Sequence, residues 1–267
     1  MDLSWYDCIK DWKFYFKLGF GLFFLAVLLY GLLSPLINGI TVTDQQKKDA
    51  RNWMWFTEDK GDFILNYFSF FTIQTNVFVI IWLISSAIFW EQEGRINSKW
   101  FGQYMTLAVT TFITITGIVF NVMLLPTLVN QLQTFYAWFT NIVQHMVVPI
   151  IMIIYFFIMP REQGSVFTTK EFWKKRMWMY YIYPVIWAVI MLIRGEFRWQ
   201  AGKVWAYQYF FLNIHKSFYG IPGAIWLLIT ALLIILIIFS ISTLFNLINL
   251  KQLKRKYHTY YLNDTTK

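Results

Sequence analysis

A long run without charge constrains this chain most strongly. Between Lys216 and Lys251 no Asp, Glu, Lys or Arg occurs, and most positions are apolar. About 20 apolar residues in helical form cross the ~30 Å hydrocarbon core of a bilayer. Because lipid offers no partner for backbone N–H and C=O groups, such a run has to form an α-helix. The run therefore predicts a transmembrane helix.

The rest of the chain repeats this pattern. Of the 267 residues, 58% are hydrophobic and only 14% are charged, which is too few charges to cover the surface of a soluble domain of this size. Six apolar runs predict an all-α polytopic membrane protein with six transmembrane helices and a single domain over residues 1–267. The predicted spans are 18–36, 63–90, 100–125, 135–159, 177–193 and 221–250.

Basic residues predict the orientation, because cytoplasmic loops carry an excess of Lys and Arg. With six spans, both termini share one side of the membrane. That side holds 15 of the 23 basic residues, and the other side holds the remaining eight. The distribution predicts that both termini are cytoplasmic.

A basic segment, KQLKRKYHTYY at residues 251–261, follows the last predicted span. Clusters of Lys and Arg beside a membrane helix attract anionic lipid, so the segment predicts contact with anionic lipid. The alternative is an anchor that only fixes the topology. Nucleic-acid binding is not expected, because the chain offers no soluble basic domain to present such a surface.

Polar side chains inside the predicted spans are costly in lipid and commonly mark a functional site. The second span carries Thr72, Gln74, Thr75 and Asn76 in FTIQTN, and the fourth carries His145 in NIVQH. Both spans cross the membrane in the same direction. A rise of ~1.5 Å per residue places Thr72 about 14 Å and His145 about 15 Å below the same boundary. We therefore expect the two side chains at equal depth.

A stripe of small and polar residues marks the third span. Spacings of three and four place its members on one face of the helix, which predicts close packing or the wall of a cavity. The alternative is structural, because threonine in a membrane helix commonly donates to the carbonyl four residues earlier. The stripe consists of Thr106, Thr110, Thr114, Gly117 and Asn121.

A threonine and a histidine at one depth suggest acyl transfer. A hydroxyl becomes a nucleophile when a base takes its proton, and imidazole can accept and return that proton near neutral pH. Asn76, Gln74 and Asn141 could donate N–H groups to an oxyanion, and Asn141 could instead orient the ring. The alternatives for His145 are a structural hydrogen bond and, with less support, a metal. No metal or cofactor is expected, because the spans offer too few ligands.

Three segments resemble the androgen-induced membrane-protein family and its prokaryotic relatives: YFSFFTIQTNVFV, NIVQHMVVP, and YPVIWAVIMLIRGEFRWQ with its continuation VWAYQYFF. The resemblance extends from the second span to the sixth. It implies six spans and a threonine-type hydrolase of fatty acid esters of hydroxy fatty acids. By motif, the family's histidine corresponds to His145 and its threonine to Thr72, with Thr75 as the alternative nucleophile. Arg194, at the predicted outer mouth, is expected either to hold a fatty carboxylate or to snorkel to the interface.

The function expected from these residues and from the resemblance is the hydrolysis of lipid esters, with a lipid substrate that arrives from the bilayer. The prokaryotic relatives indicate the cell membrane of a prokaryote. Two alternatives stay open at this point. One is a membrane acyltransferase, in which a lipid hydroxyl replaces water. The other is a non-catalytic lipid-binding or transport protein, in which the polar residues only contact a ligand.

Overall fold

Helices form the framework of the protein, because its apolar runs leave the backbone no other way to pair its polar groups in lipid. The structure is a computed structural model and describes residues 5–93, 101–129, 134–159 and 166–264. It is 81% helical, and its described residues contain no strand. The predicted all-α fold class is confirmed.

The helices of the described residues are numbered in chain order. They are α1 (Trp5–Lys10), α2 (Trp12–Asn38), α3 (Asp44–Asp49), α4 (Trp53–Glu58), α5 (Lys60–Ser69), α6 (Phe71–Ile88), α7 (Gln103–Val119), α8 (Leu125–Leu128), α9 (Phe135–Ile142), α10 (Val148–Ile158), α11 (Thr169–Lys175), α12 (Met179–Gln200) and α13 (Gly223–Asp264). Two π-helical turns, Phe120–Leu124 and Val143–Val147, join α7 to α8 and α9 to α10. Short 3₁₀ turns cover Trp90–Gln92 and Phe210–Leu212.

Six helical segments of the described chain are long and apolar enough to cross a membrane, which confirms the six predicted membrane helices. The first and fifth extend beyond both predicted ends, because a helix continues past the hydrocarbon core into the interface. The six segments are Trp12–Asn38, Phe71–Ile88, Gln103–Leu128, Phe135–Ile158, Thr169–Gln200 and Gly223–Lys256.

The first membrane helix begins at Trp12, before the predicted start at residue 18, and it therefore contains Lys17. This side chain is buried, and its Nζ donates to a Glu93 carboxylate oxygen at 2.6 Å and to the Ser86 carbonyl at 2.9 Å. The hydroxyl of Tyr155 donates to the other carboxylate oxygen. A buried charge without a partner is strongly destabilising. The pair therefore ties α2 to the end of α6 and to α10.

The second predicted span, 63–90, is divided in the structure. α5 ends at Ser69, and Phe70 has extended backbone angles of −68° and 132° before α6 begins. A helix end leaves carbonyl groups without an intrahelical partner. Here side chains supply the donors: Gln74 Nε2 lies 2.8 Å from the Phe68 carbonyl, and Trp187 Nε1 lies 3.0 Å from the Ser69 carbonyl. The break places the start of α6 beside α12.

The bundle is organised around α6 and α7. α2 packs along α6, and α7 contacts α6, α10 and α13. Gly21 allows α2 to lie close to α6, since a Cβ at this position would be 2.7 Å from Cγ1 of Ile84. Leu83, Ile113 and Met152 are completely buried where α6, α7 and α10 meet. The polar residues of α6 and α7 therefore lie between closely packed helices.

The segment between α12 and α13, residues 201–222, folds back onto the bundle. Gly195 on α12 makes room for it, because a Cβ there would overlap the ring of Tyr207. Gly202 has a φ of +66°, a conformation that glycine adopts without strain. The side chains of Tyr207 and Phe211 are buried together with Trp187 in one aromatic cluster. The segment thereby carries its aromatic residues to the start of α6.

Part of the orientation prediction concerns residues that the structure does not describe. Arg95, Lys99, Arg161 and Lys267 contribute to the basic-residue count, and Trp100 begins the predicted third span; all five lie outside the described residues. The cytoplasmic placement of the termini stays a prediction. The last helix does not end with the predicted span at residue 250, because α13 continues through the basic segment to Asp264.

Candidate active site

Thr72 lies in the first turn of α6, two residues after the break at Phe70. Its side chain is buried, and its Oγ1 lies 3.2 Å from Nε2 of His145. A nitrogen base has to lie within about 3.2 Å of the oxygen whose proton it takes, or within reach of one bridging water. The two residues that the sequence places at equal depth are therefore in direct contact.

The other ring nitrogen of His145 fixes the direction of this hydrogen bond. Nδ1 lies 2.9 Å from the backbone carbonyl of Asn141. A carbonyl oxygen can only accept, so Nδ1 carries the hydrogen of the neutral ring. Nε2 then presents its lone pair to Thr72. The network assigns this tautomer, which is the one that a general base requires.

Both π-helical turns meet at this site. The N–H of Val148 donates to the carbonyl of Val143, and the N–H of Leu125 donates to that of Phe120, each five residues earlier. Such turns are rare and frequently occur at functional sites. His145 belongs to the turn at Val143–Val147, and Phe120 belongs to the turn at Phe120–Leu124. Their rings are stacked, with centroids 3.7 Å apart and planes 15° apart.

Tyr209 is a further member of the site that the sequence analysis did not identify. Its hydroxyl lies 3.3 Å from Oγ1 of Thr72 and accepts the backbone N–H of Thr72 at 3.4 Å. Its ring packs against Phe70, Trp187 and Phe211. The aromatic run VWAYQYFF is the signal in the sequence, but nothing in that run distinguishes one tyrosine from the other.

Thr72 and Tyr209 line an apolar cavity of about 170 Å³. Trp187 and Leu212 form part of its wall, and Thr116 of α7 contributes a further hydroxyl-bearing side chain. The cavity extends between α12 and α13, where Val185 and Ile235 are 57% and 49% exposed. The cavity is therefore open to the side of the bundle between these two helices.

The three amides that were predicted as oxyanion donors do not line this cavity. Asn76 Nδ2 donates to the carbonyls of Thr72 and Gln144, at 2.8 and 3.2 Å. Gln74 donates to the Phe68 carbonyl and accepts from the Tyr183 hydroxyl. Asn141 donates from its side chain to the carbonyl four residues earlier. The break after α5 leaves the Phe68 carbonyl without a helical partner, and Gln74 donates to it. Asn76 and Asn141 find acceptors in the backbone of their own helices. The ring of His145 is oriented by the backbone of Asn141 rather than by its amide.

Thr75, the alternative nucleophile, is not directed at the imidazole. Its hydroxyl forms hydrogen bonds with the Thr72 carbonyl at 3.0 Å and with the Thr116 hydroxyl at 2.8 Å. Neither partner is a base. The geometry therefore favours Thr72 over Thr75, and it gives Thr75 a role in joining α6 to α7.

The polar stripe of α7 follows the structural alternative. The hydroxyl of Thr110 donates to the Thr106 carbonyl, and that of Thr114 donates to the Thr110 carbonyl, each at 2.7 Å. Gly117 serves close packing, because a Cβ there would be 3.1 Å from Cγ of Pro149 on α10. Asn121 donates to its own helix at 2.7 Å. The threonines and Asn121 of the stripe thus bond to their own helix, Gly117 allows packing against α10, and none of the five lines the cavity beside Thr72.

Arg194 lies apart from Thr72. Its Nη2 donates to Oδ1 of the buried Asn66 at 3.1 Å. It lines a separate, open cavity of about 560 Å³ together with Asp62, Arg198 and Lys203. Arg194 thus contacts neither Thr72 nor His145 in this structure. Its predicted role at a substrate mouth stays a prediction.

Asp62 is the acidic member of that second cavity. Burial raises the pKa of its carboxyl, but the hydrogen bond and the positive charge of Arg198, together with Lys203, outweigh burial and hold the pKa below its usual value. Arg198 also donates to the Val204 carbonyl at 2.7 Å. The ion pair therefore fastens the segment after α12 to α5, close to the break that positions Thr72.

Comparisons with known proteins add no relative: no family model, no curated protein and no solved structure matches the chain. Membership of the family that the three sequence segments resemble therefore stays an expectation, and the site has to be judged on its own geometry.

Proposed function

We propose that the protein is an intramembrane hydrolase of lipid esters in which Thr72 is the nucleophile and His145 is the general base. One observation carries the proposal. The Thr72 hydroxyl, in the wall of an apolar cavity, lies 3.2 Å from an imidazole nitrogen whose lone pair faces it. A threonine that served only its helix would donate to its own backbone, as Thr110 and Thr114 do.

The proposed reaction uses water as its second reactant. Nε2 of His145 takes the Thr72 proton while Oγ1 attacks the ester carbonyl carbon. The tetrahedral intermediate collapses to an acyl ester on Thr72, and His145 gives the proton to the departing alcohol. Water then attacks the acyl carbon as His145 again takes a proton. That proton returns to Thr72 as the fatty acid leaves.

The start of α6 supports this chemistry. The N–H groups of a first helical turn lack intrahelical partners, and a helix N-terminus carries a partial positive charge. Negative charge that develops next to Thr72 is therefore stabilised by the end of the helix. The Tyr209 hydroxyl, 3.3 Å from Oγ1, is a second donor on the same side. Donors placed in advance where an oxyanion forms contribute strongly to catalysis.

Labelling with a fluorophosphonate-type acyl probe tests whether Thr72 reacts. We expect the wild-type protein in membranes to be labelled, Thr72→Ala and His145→Ala to lose the label, and Thr72→Ser to keep part of it. Thr75→Val is the control, because it removes the competing hydroxyl and leaves the Thr72 and His145 contact in place. A folded wild-type protein without label, or a Thr72→Ala variant with full label, would leave lipid binding or helix packing as the role of the cluster.

Turnover of a lipid ester tests whether the pair acts as one unit. General-base assistance contributes roughly 10²–10⁴-fold, so each single alanine variant should lose activity by about that factor. Residues that act together are strongly non-additive, and the double variant should therefore be little worse than either single one. Losses that multiply would refute the shared mechanism. An acylated lipid alcohol as the product, in place of a free fatty acid, would identify an acyltransferase.

A further inference from the structure

A second apolar cavity lies on the other side of α12 from Thr72. It has a volume of about 780 Å³ and is bounded by α6, α7 and α12. Its floor is made of the buried rings of Trp82, Phe112 and Tyr180. Between Tyr104 and Phe112 the wall of α7 extends about 12 Å along the helix axis. The cavity is thus a long apolar groove rather than a pocket for a compact ligand.

The groove is open to the side of the bundle. Ile81 of α6 and Ile182 of α12 are 57% and 42% exposed, and both lie along the groove. Met105 of α7 is exposed as well. In a membrane these side chains face acyl chains, so a lipid can enter the groove without crossing a polar surface.

Of the described residues that line the groove, Arg176 is the one cation, and it lies at one end, between α11 and α12. Its guanidinium carbon lies 4.6 Å from the ring centroid of Tyr104 and 5.2 Å from that of Phe167. Among the described residues it forms no ion pair, and its buried Nε has no hydrogen-bond partner. Its Nη1 contacts the sulfur of Met179 at 3.6 Å, which supplies no negative charge. The half-buried guanidinium at the end of this apolar groove thus has no anion among the described residues.

Two stacked rings separate this groove from the proposed active site. Tyr183 lines the groove, Phe71 lines the cavity beside Thr72, and their ring centroids are 5.4 Å apart. The Tyr183 hydroxyl is held by Oε1 of Gln74 at 2.9 Å. The groove therefore does not belong to the Thr72 site, and its occupant need not be a substrate.

We propose that the groove binds an anionic membrane lipid, with the phosphate on Arg176 and an acyl chain along the rings of Trp82 and Phe112. The charge decides the class of lipid: arginine presents several N–H donors in a planar fork that matches a phosphate. A zwitterionic lipid would bring a second cation to an end of the groove that already holds one. The site goes beyond the proposed hydrolase and does not depend on it.

Native mass spectrometry tests the assignment. The protein is reconstituted in vesicles of equal parts phosphatidylglycerol and phosphatidylcholine, then extracted in mild detergent, and the lipid that remains bound is weighed. We expect the wild-type protein to retain phosphatidylglycerol in preference to phosphatidylcholine. A hydrogen bond to a charged group contributes about 1.5–3 kcal/mol, so Arg176→Gln should reduce the preference at least tenfold. Arg176→Lys should retain part of it, because lysine keeps the charge and loses the fork.

Two further variants separate the groove from general surface charge. Lys174→Gln removes an exposed cation two residues away and should leave the preference unchanged. Ala108→Phe and Ala108→Trp fill the groove and should expel the lipid although Arg176 remains; the melting temperature in detergent identifies the variant that is folded. Retention of phosphatidylglycerol by Arg176→Gln at the wild-type level would overturn the proposal. So would a dimeric mass that the Ala108 variants dissociate, because the groove would then hold a second copy of the chain.

Discussion

At the scale of single residues, the hydroxyl of Thr72 donates its hydrogen bond in one direction and accepts one from the other. It carries one hydrogen, and that hydrogen is directed to His145, whose Nδ1 is committed to the Asn141 carbonyl. The hydrogen of Tyr209 must then point to Thr72 Oγ1. The three groups form one directed chain of donors from Tyr209 to the backbone of Asn141. A proton that leaves Thr72 can therefore move in one direction only.

Removal of the Tyr209 hydroxyl tests the end of this chain. Tyr209→Phe keeps the ring in its aromatic cluster and removes one donor near the developing charge. Loss of one such donor typically costs 10²–10³ in turnover, so we expect kcat on a lipid ester to fall about a hundredfold with little change in KM. Tyr181→Phe is the matched control, since Tyr181 lines the same cavity but donates to the Ile235 carbonyl. Equal rates in the two variants would remove Tyr209 from the site.

The sequence predicts part of this site for a clear reason. Depth along a helix follows from residue count, so the sequence places Thr72 and His145 at equal depth, although it neither shows that they touch nor separates Thr72 from Thr75. The direction of a side chain does not follow in the same way. Gln74 and Asn76 are directed to backbone carbonyls by a break and a neighbouring helix that no periodicity reveals. Tyr209 lies in an irregular segment, where no period links sequence position to space.

At the scale of helices, close contact between α2 and α6 holds the first membrane helix to the bundle. Helices in lipid associate through small residues that let their backbones approach. α2 contains a natural comparison for this effect. A Cβ at Gly21 would meet Ile84 and Leu83, whereas a Cβ at Gly19, two residues earlier, would meet nothing within 4 Å.

This pair of glycines gives a prediction about stability. Gly21→Ala should lower the free energy of unfolding by about 1–3 kcal/mol, the usual cost of overpacking. Gly19→Ala should leave it unchanged or raise it by up to about 1 kcal/mol, because alanine favours a helix over glycine. Melting curves of both variants in the same detergent measure the difference. Equal effects would show that the two helices do not meet closely at Gly21.

The number of membrane helices follows from the sequence, because uncharged apolar runs of sufficient length admit one structure in lipid. The break at Phe70 does not, since no proline or glycine marks it. It depends on donors from distant parts of the chain, above all on Trp187, which lies on another membrane helix. The sequence does not predict the π-helical turns for a similar reason. The two turns meet through the stacked rings of Phe120 and His145, which lie far apart in the sequence.

At the scale of the whole molecule, the distribution of basic residues predicts the orientation of the chain in the membrane. We predict that the segment after α2 is outside and that the start of α11 is inside. Asn38 and Thr168 are exposed at these two positions, and the native Cys8 is buried and can be replaced by serine in the background. In intact cells, a membrane-impermeant maleimide should modify a cysteine introduced at position 38 and not one at position 168. Modification at 168 alone would reverse the orientation.

The π-helical turns also have a consequence for how the site tolerates changes in chain length. A π-helical turn contains one residue more than a turn of the α-helix around it, so each of the two turns is equivalent to the insertion of a single residue. Deletion of one residue within 143–147 would restore a regular helix and turn the upstream face by about 100° relative to the downstream one. The contacts of His145 with the Asn141 carbonyl and with Thr72 could then not both be kept. The dyad thus depends on an added residue as much as on the identity of its side chains, and the deletion of one residue from this turn would dismantle it.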